Sequence, residues 1–137
     1  MVVNLTIQEI LEAKAACEAL VTKTFSAKTA FKIVGLIKKL ESIENLFNEM
    51  KLETIKKYAK KDEDGNVVTE TLENGQTYVP VLTEFQEQCM KEISDMLVQR
   101  YDIFYTQISI KELEEKNITI KELLPLYHFI LESEDSE

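Results

Sequence analysis

Apolar residues recur at steps of three and four along most of this chain, the spacing that places them on one face of an α-helix. The first such stretch begins at Thr6, continues to about Leu20 and is expected to end near residues 22–24. A second and longer stretch follows Ser26, which can cap it. Its apolar positions come close to three heptads: Ile33, Leu36, Leu40, Ile43, Phe47 and Met50. Such a stripe packs against a partner helix, so the pattern predicts a helical bundle.

Three short phrases of similar composition indicate where helices begin. In each, a Ser or Thr is followed three residues later by Glu, the arrangement called a capping box. The hydroxyl accepts a hydrogen bond from a free backbone N–H of the first turn, and the carboxylate accepts one from the N–H of the capping residue. The three pairs are Thr6 with Glu9, Ser109 with Glu112, and Thr119 with Glu122. The three phrases therefore predict three helix starts. Because they are unevenly spaced along the chain, they argue against a repeat protein.

Between the second and third helical stretches, the pattern changes to that of β-strands. β-Branched residues are frequent in two segments, residues 67–72 and 76–81. The Asn-Gly pair between them supplies the positive φ angles that a two-residue type I′ turn requires. The sequence therefore predicts a β-hairpin with Asn74 and Gly75 at its tip. Pro80 cannot donate to a β-ladder, so its strand is expected to lie at an edge or to end there.

The pattern after the hairpin predicts a third amphipathic helix from Thr83 to about Tyr101, with Thr83 and Gln86 as a fourth, weaker capping box. Residues 103–108 have a β-type composition and predict a short strand that pairs with residues 2–4 or with the hairpin. Two short helices then follow the last two capping boxes. The predicted fold class is mainly α with a small β-hairpin: a bundle of three main helices with short C-terminal helices.

Composition favours a single domain over residues 1–137, ending in an acidic tail at residues 132–137. A chain of 137 residues with 45% hydrophobic residues is long enough to form one hydrophobic core but too short to form two well-packed cores. No signal sequence follows the first methionine and no apolar run approaches the ~20 residues that span a bilayer, so a cytoplasmic protein is expected. Cys17 and Cys89 have no Cys or His close by and are expected to be free, buried thiols.

Charge is unevenly distributed along the chain, whose formal net charge is −9. Residues 23–61 contain ten lysines and four glutamates, whereas the rest of the chain contains six basic and 21 acidic residues. Such a chain can present unlike faces to itself, to a second copy or to a charged partner. The candidate interaction surface is a set of lysines along the second helix: Lys28, Lys32, Lys39, Lys56 and Lys60. The alternative is that these lysines form the solvated face of an amphipathic helix.

Nucleic-acid binding is unfavourable for this composition, since the chain is acidic overall and contains one arginine, Arg100. Phosphate binding draws its affinity from clustered Lys and Arg, and base recognition uses arginine forks or stacked aromatic rings. The predicted partner is therefore another protein or a second copy of the chain. Neither nucleic acid nor a membrane is expected as a partner.

No pattern in the sequence indicates catalysis, a cofactor or a metal site. If Gly65 takes the invariant sixth position of a calcium-binding loop, Lys60 and Thr71 fall where carboxylates are needed, so the calcium interpretation fails. His128 has no neighbouring nucleophile and is interpreted as a packed or surface residue. Five aromatic residues could line a ligand pocket, although such residues more often fill a core. They are Tyr101, Phe104, Tyr105, Tyr127 and Phe129. The chain is therefore predicted not to be an enzyme.

A resemblance to a known family rests on the order of the predicted elements and on two segments of the chain. The elements are a helix pair with a lysine-rich second helix ending in residues 58–66, a third helix, and a terminal run at residues 118–126. In this order the chain resembles a family of small, uncharacterised proteins encoded by tailed phages and prophages of Gram-positive bacteria. The resemblance implies a phage-related context and no particular chemistry.

Three features together suggest a function: the heptad stripe, the uneven distribution of charge and the lack of catalytic patterns. We expect a non-enzymatic protein-interaction component, self-associating or part of a phage assembly, in the host cytoplasm or associated with the virion. The alternative is a small acidic anti-defence inhibitor that masks a host protein or sequesters a small ligand.

Overall fold

The first helix begins at the capping box predicted for it. In the computed structural model of the chain, α1 (Ile7–Leu20) follows Thr6 as its capping residue. The Thr6 hydroxyl accepts from the N–H of Glu9 over 3.1 Å, and the Glu9 carboxylate accepts from the N–H of Thr6 over 3.0 Å. The boxes at Ser109 and Thr119 contain the same reciprocal bonds. All three helix starts predicted from these phrases are confirmed.

The structure describes residues 1–114 and 116–131, and the predicted acidic tail at residues 132–137 lies outside the described part. The helices are α1 (Ile7–Leu20), α2 (Ala27–Lys57), α3 (Gln86–Leu97), α4 (Ile110–Leu113) and α5 (Ile120–Leu123), with 3₁₀ turns at Thr83–Phe85 and Leu124–Phe129. The strands are β1 (Val2–Thr6), β2 (Glu70–Thr71), β3 (Thr77–Tyr78), β4 (Arg100–Phe104), β5 (Ile108–Ser109) and β6 (Ile130–Leu131). The expected class, mainly α with a small β-hairpin, is confirmed.

The chain divides into two compact units. The first contains Met1–Asn45 and the chain from Gln99 onward, and the second contains Leu46–Val98, so α2 contributes residues to both. In the first unit, β1 pairs with β4 in antiparallel register, with Val3 opposite Ile103. This pairing confirms one of the two partners predicted for the strand, the segment near the N-terminus. The predicted bounds are wrong, since β4 covers Arg100–Phe104 and not residues 103–108. β5 and β6 form a second, parallel pair.

The core of the first unit is assembled from α1, the first half of α2 and the C-terminal elements. Its largest fully buried members include Leu5, which precedes the capping residue Thr6, and Ile10, which follows Thr6 by four positions. The other buried members are Ala13, Ala16, Cys17, Leu20, Ile33, Leu36, Leu40, Ile103, Ile108, Leu113, Leu126 and Phe129. The heptad stripe of α2 is buried or half-buried from Ile33 to Phe47, whereas Met50 is 41% exposed. The last heptad position is thus not a core residue.

The second unit contains the predicted hairpin. β2 and β3 pair in antiparallel register, with Thr71 opposite Thr77. Both strands are shorter than predicted because the neighbouring residues bond to the segment after α2: the N–H of Val68 donates to the Lys60 carbonyl, and the N–H of Lys60 donates to the Pro80 carbonyl, each over 2.9 Å. β3 ends two residues before Pro80, as expected for a residue that cannot donate.

The turn of the hairpin is not the predicted type I′ turn. That turn requires positive φ at Asn74, but among the described residues other than glycine only Asn117 has a positive φ. The Leu72 carbonyl accepts from the N–H of Gly75 over 2.9 Å, and the N–H of Leu72 donates to the Gln76 carbonyl over 2.7 Å. With Gly75 at φ 88°, this is a type I turn closed by a glycine bulge, which needs one left-handed residue instead of two.

Two expectations for the third helix are wrong. Thr83 and Gln86 do not form a capping box: a 3₁₀ turn precedes α3, and Phe85, at the capping position, supplies no side-chain bond. The helix also ends at Leu97 and not near Tyr101. Arg100–Phe104 is a strand because its backbone groups pair with β1, which overrides the helical spacing of its apolar residues.

Candidate functional site

The five lysines of the predicted interaction surface differ in what they contact. Lys28, Lys56 and Lys60 are exposed. Lys32 is half-buried, with its Nζ 2.9 Å from Glu112 Oε1, and Lys39 Nζ donates to the carbonyl of Phe104. The structure therefore uses Lys32 and Lys39 inside the first unit, and a surface role remains open for the other three. That role stays a prediction.

The most exposed apolar side chain of α2 lies among these lysines. Phe31 is 79% exposed, and Val34 beside it is 48% exposed. Gly35, one turn after Phe31, is exposed, and a Cβ placed on it would have open space around it. The exposed Lys28 precedes Phe31 by three residues, and the exposed Lys38 follows Val34 by four. These five residues are called the α2 outer face below.

The α2 outer face lies in a stretch that carries positive charge only. Residues 19–40 contain five lysines and no acidic residue. Val34 also lines a cavity of about 390 Å³ together with Val21, which is 66% exposed. The outer face is thus continuous with further apolar surface. An apolar surface with a rim of one charge is typical of a protein-binding surface.

A second apolar surface lies on the C-terminal elements of the first unit. Its cavity of about 240 Å³ is open to solvent, and Ile120 and Leu124 at its edge are 81% and 70% exposed. The residues that line it, called the C-terminal groove below, are Ile110, Ile120, Leu123, Leu124, Tyr127 and Ile130. Five of the six are aliphatic, so the groove suits an apolar side chain and offers few groups for polar chemistry.

A smaller, polar cleft of about 100 Å³ adjoins the C-terminal groove and shares Leu124 with it. Glu9, Glu12 and His128 line this cleft, with Glu9 Oε2 3.6 Å from His128 Nε2. The N–H of Thr6 donates to Glu9 and lowers the pKa of that carboxyl. Glu9 is thereby kept ionised, so the cleft places negative charge beside the apolar groove.

Among the described residues, the other candidates for chemistry form no assembled metal site. Within the described residues there is no group of three or more His, Cys, Asp or Glu side chains arranged to hold a metal ion. Phe129 is buried and Tyr105 packs edge-on against it, with ring centroids 5.0 Å apart, which agrees with the core interpretation of these aromatic residues. For Phe104 and Tyr127 the core interpretation is wrong, since they are 64% and 61% exposed, and Tyr127 lines the C-terminal groove.

Sequence reasoning missed both apolar surfaces. For Phe31 the sequence did contain a signal, since this residue falls outside the heptad stripe of α2. An aromatic residue on the polar side of an amphipathic helix cannot pack into the core that the apolar side contacts. The C-terminal groove left a weaker signal. Apolar residues are so frequent from Ile118 to Leu131 that a four-residue helix and a 3₁₀ turn cannot bury them all.

Comparisons with known proteins identify no relative. No family model, curated protein or solved structure is similar enough to this chain to count as a match. Within the described residues, no helix combines the length and apolar character needed to cross a bilayer.

Proposed function

We propose that this chain is a non-enzymatic protein-interaction component and that its α2 outer face binds a partner protein. The observation that carries the proposal is Phe31, a large apolar side chain in the second turn of α2 that is 79% exposed. Burying a phenylalanine stabilises a complex by about 1.5–3 kcal/mol, an amount forgone while Phe31 remains in water. Exposed aromatic residues of this kind are frequent anchors of protein interfaces.

Gly35 supports the same proposal. A glycine inside a helix destabilises it by roughly 1 kcal/mol relative to alanine, and nothing in the structure lies close enough to Gly35 to exclude a Cβ. A partner backbone that approaches α2 closely beside Phe31 would account for the missing side chain. The glycine therefore fits a docking surface better than a solvated one.

Charge defines the chemistry of the partner. The α2 outer face is rimmed by Lys28 and Lys38 and lies in a stretch without acidic residues. Opposite charge at a rim speeds association and excludes partners of the same charge. The partner expected is an apolar protein surface bordered by carboxylates. Of the five lysines predicted for the interaction surface, this proposal retains Lys28, and it adds Lys38, which was not among them.

The wider expectations extend this proposal. The resemblance to phage and prophage proteins suggests that the partner belongs to a phage assembly, in the host cytoplasm or in the virion. The expectations of one domain and of a bundle of the three main helices stay predictions. The inhibitor alternative also stays a prediction, and an inhibitor could use the same surface against a host protein.

Two synthetic amphipathic helical peptides with the same leucine positions test the proposal, one flanked by Glu and the other by Lys. Isothermal titration calorimetry should detect binding of the Glu peptide and much weaker binding of the Lys peptide. The variant Phe31→Ser should weaken binding of the Glu peptide by about tenfold or more. Met90→Ser is the matched control, because Met90 is an exposed apolar residue of the second unit.

The result that would overturn the proposal is equal binding of the two peptides, or Glu-peptide binding that Phe31→Ser leaves unchanged. Raising the salt concentration should weaken Glu-peptide binding in the unmodified chain, since rim charges are screened within about a Debye length. Salt-independent binding would count against the role of Lys28 and Lys38.

A further inference from the structure

We infer that the partner surface is present on a second copy of the chain: the α2 outer face of one copy docks into the C-terminal groove of the next. The inference rests on the proposed function of the α2 outer face and specifies the partner surface that this face binds. The two surfaces share no residue, so one copy can use both at once. Each is an exposed apolar surface within the first unit: Phe31 is 79% exposed on one, and Ile120 and Leu124 are 81% and 70% exposed on the other.

The shapes of the two surfaces suit each other. The α2 outer face is one side of a helix from which Phe31 projects into solvent, and the C-terminal groove is an open apolar cavity of about 240 Å³. An amphipathic helix that places an apolar anchor in a groove is a recurrent mode of recognition. Gly35, next to the anchor, lets the helix backbone approach the edge of the groove.

The charges also match. The cleft that adjoins the groove at Leu124 contains Glu9 and Glu12, whereas the α2 outer face carries Lys28 and Lys38. Lys111 and Lys121 lie on α4 and α5, the helices that carry Ile110 and Ile120 of the groove, so the acidic border is on the α1 side. The lysines of the docked helix are therefore expected to face Glu12.

Other occupants fit the groove less well. Residues 132–137, the part of the chain that follows β6, contain four carboxylates and no apolar side chain, so this segment lacks the chemistry to fill an apolar cavity. Two α2 outer faces could in principle pack against each other about a two-fold axis. In an antiparallel pair centred near Ile33, Lys28 of each copy would then lie opposite Lys38 of the other, and the like charges would repel.

The contact between outer face and groove is heterologous, because it joins different surfaces of two identical chains. Repetition of such a contact produces a closed ring or an open filament, according to the rotation between copies. The unmodified chain should therefore form complexes larger than a dimer as its concentration rises, in agreement with the expectation of self-association.

Two variants that each destroy one surface test the inference by size-exclusion chromatography with light scattering. Phe31→Asp retains the groove and Leu124→Asp retains the outer face, so each alone should be monomeric. Mixed in equal amounts, the two variants should form a 1:1 complex of twice the chain mass of 15.8 kDa and nothing larger. Val34→Asp with Ile120→Asp gives a second pair, and Met90→Asp is a control that should associate like the unmodified chain.

Charge reversal tests the orientation. Glu12→Lys should weaken self-association several-fold, and addition of Lys38→Glu to the same chain should restore most of it. Circular dichroism confirms that each variant is folded before its mass is interpreted.

Three outcomes overturn the inference: an unmodified chain that stays monomeric at every concentration, single variants that still associate, or a mixture that remains monomeric. A monomeric chain whose α2 outer face still binds the Glu peptide would refute the self-association alone and leave the proposed function intact. A chain that binds neither the Glu peptide nor itself would refute both. Competition should also be seen, since the Glu peptide occupies the outer face and must dissociate the complexes.

Discussion

Lys32 and Glu112 form a half-buried ion pair, with Lys32 Nζ 2.9 Å and 3.1 Å from the two oxygens of the Glu112 carboxylate. Glu112 is also the glutamate of the second capping box and accepts from the N–H of Ser109 over 2.8 Å. A third bond comes from the hydroxyl of Thr29, over 3.0 Å. One carboxylate thus caps α4 and binds it to α2. A lysine assigned to an interaction surface on sequence grounds is used within the fold instead.

Removing the charge of Lys32 should therefore destabilise the protein. Lys32→Met keeps the aliphatic part of the side chain but leaves Glu112 without its counter-charge, so the free energy of unfolding in urea should fall by about 1–2 kcal/mol. Lys28→Met is the matched control on the exposed side of α2 and should change the free energy of unfolding by less than about 0.5 kcal/mol. In a Glu112→Gln background, Lys32→Met should have a smaller effect, because the pair is already broken. Equal effects of the two lysine variants would contradict this assignment.

Acid should weaken the same contact. Burial raises the pKa of Glu112, but the hydrogen bonds from Lys32, from the Ser109 backbone and from Thr29 lower it by more, so its pKa lies below the ordinary 4.5. A carboxyl with a lowered pKa stabilises the folded state above its unfolded pKa, and this contribution is lost as pH falls from about 4.5 through the folded value. The free energy of unfolding should therefore decrease across this interval.

The variant Glu112→Gln isolates this contribution. It should be less stable than the unmodified chain at neutral pH and should lose less stability on acidification, as followed by urea unfolding at several pH values. Glu41→Gln, at an exposed position of α2, should leave the pH dependence nearly unchanged. If Glu112→Gln and the unmodified chain lost the same free energy below pH 4.5, the pKa of Glu112 would not be lowered by folding.

Two glycines should respond to alanine with opposite signs. A Cβ at Gly35 or at Gly75 would meet no atom within 4 Å, so only the backbone distinguishes the positions. Gly35 is inside α2, where alanine should stabilise the chain by about 0.5–1 kcal/mol. Gly75 has φ 88°, a left-handed conformation in which alanine should destabilise by roughly 1 kcal/mol or more.

Urea unfolding of both variants measures this difference, under dilute conditions in which the chain is monomeric. Because a partner helix is proposed to approach Gly35, the same Gly35→Ala variant should self-associate more weakly although each monomer is more stable. Stabilisation by Gly75→Ala would contradict the turn geometry of the hairpin.

The starts of α1, α4 and α5 were predictable because their chemistry is local. A capping box is complete within four residues, and Thr6 with Glu9 forms the same two bonds whatever the rest of the fold does. Hairpin position was predictable for the same reason, from Asn74 and Gly75. The type of turn was not, because Asn-Gly also suits a type I turn with a glycine bulge, which the flanking pairs of β2 and β3 select.

The end of α3 depended on distant residues. Arg100 and Phe104 continue the helical spacing, but Arg100–Phe104 pairs along its whole length with β1, about a hundred residues earlier in the chain. No window of the sequence contains both strands, so periodicity alone favoured the helix. Assembly of the C-terminal groove is of the same kind, since it depends on which elements pack nearby, whereas the position of Phe31 outside the heptad stripe could be recognised within α2 alone.

Both cysteines should be unreactive in the folded protein, as their burial predicts. Burial raises the pKa of Cys17 to about 12 and also raises that of Cys89, so little thiolate is present at neutral pH, and neither sulfur is accessible. Cys17 belongs to the first unit and Cys89 to the second. Each thiol therefore reports the opening of one unit.

Labelling with an aromatic disulfide reagent, applied to Cys17→Ala and Cys89→Ala separately, tests the prediction of a single domain. If residues 1–137 unfold as one cooperative domain, the remaining thiol of each variant should react at a rate set by global unfolding, and the two protection free energies should agree after correction for the stability of each variant. Rapid labelling of Cys89 while Cys17 stays protected would show that the second unit opens independently. Fast reaction of both thiols in the native protein would contradict their burial.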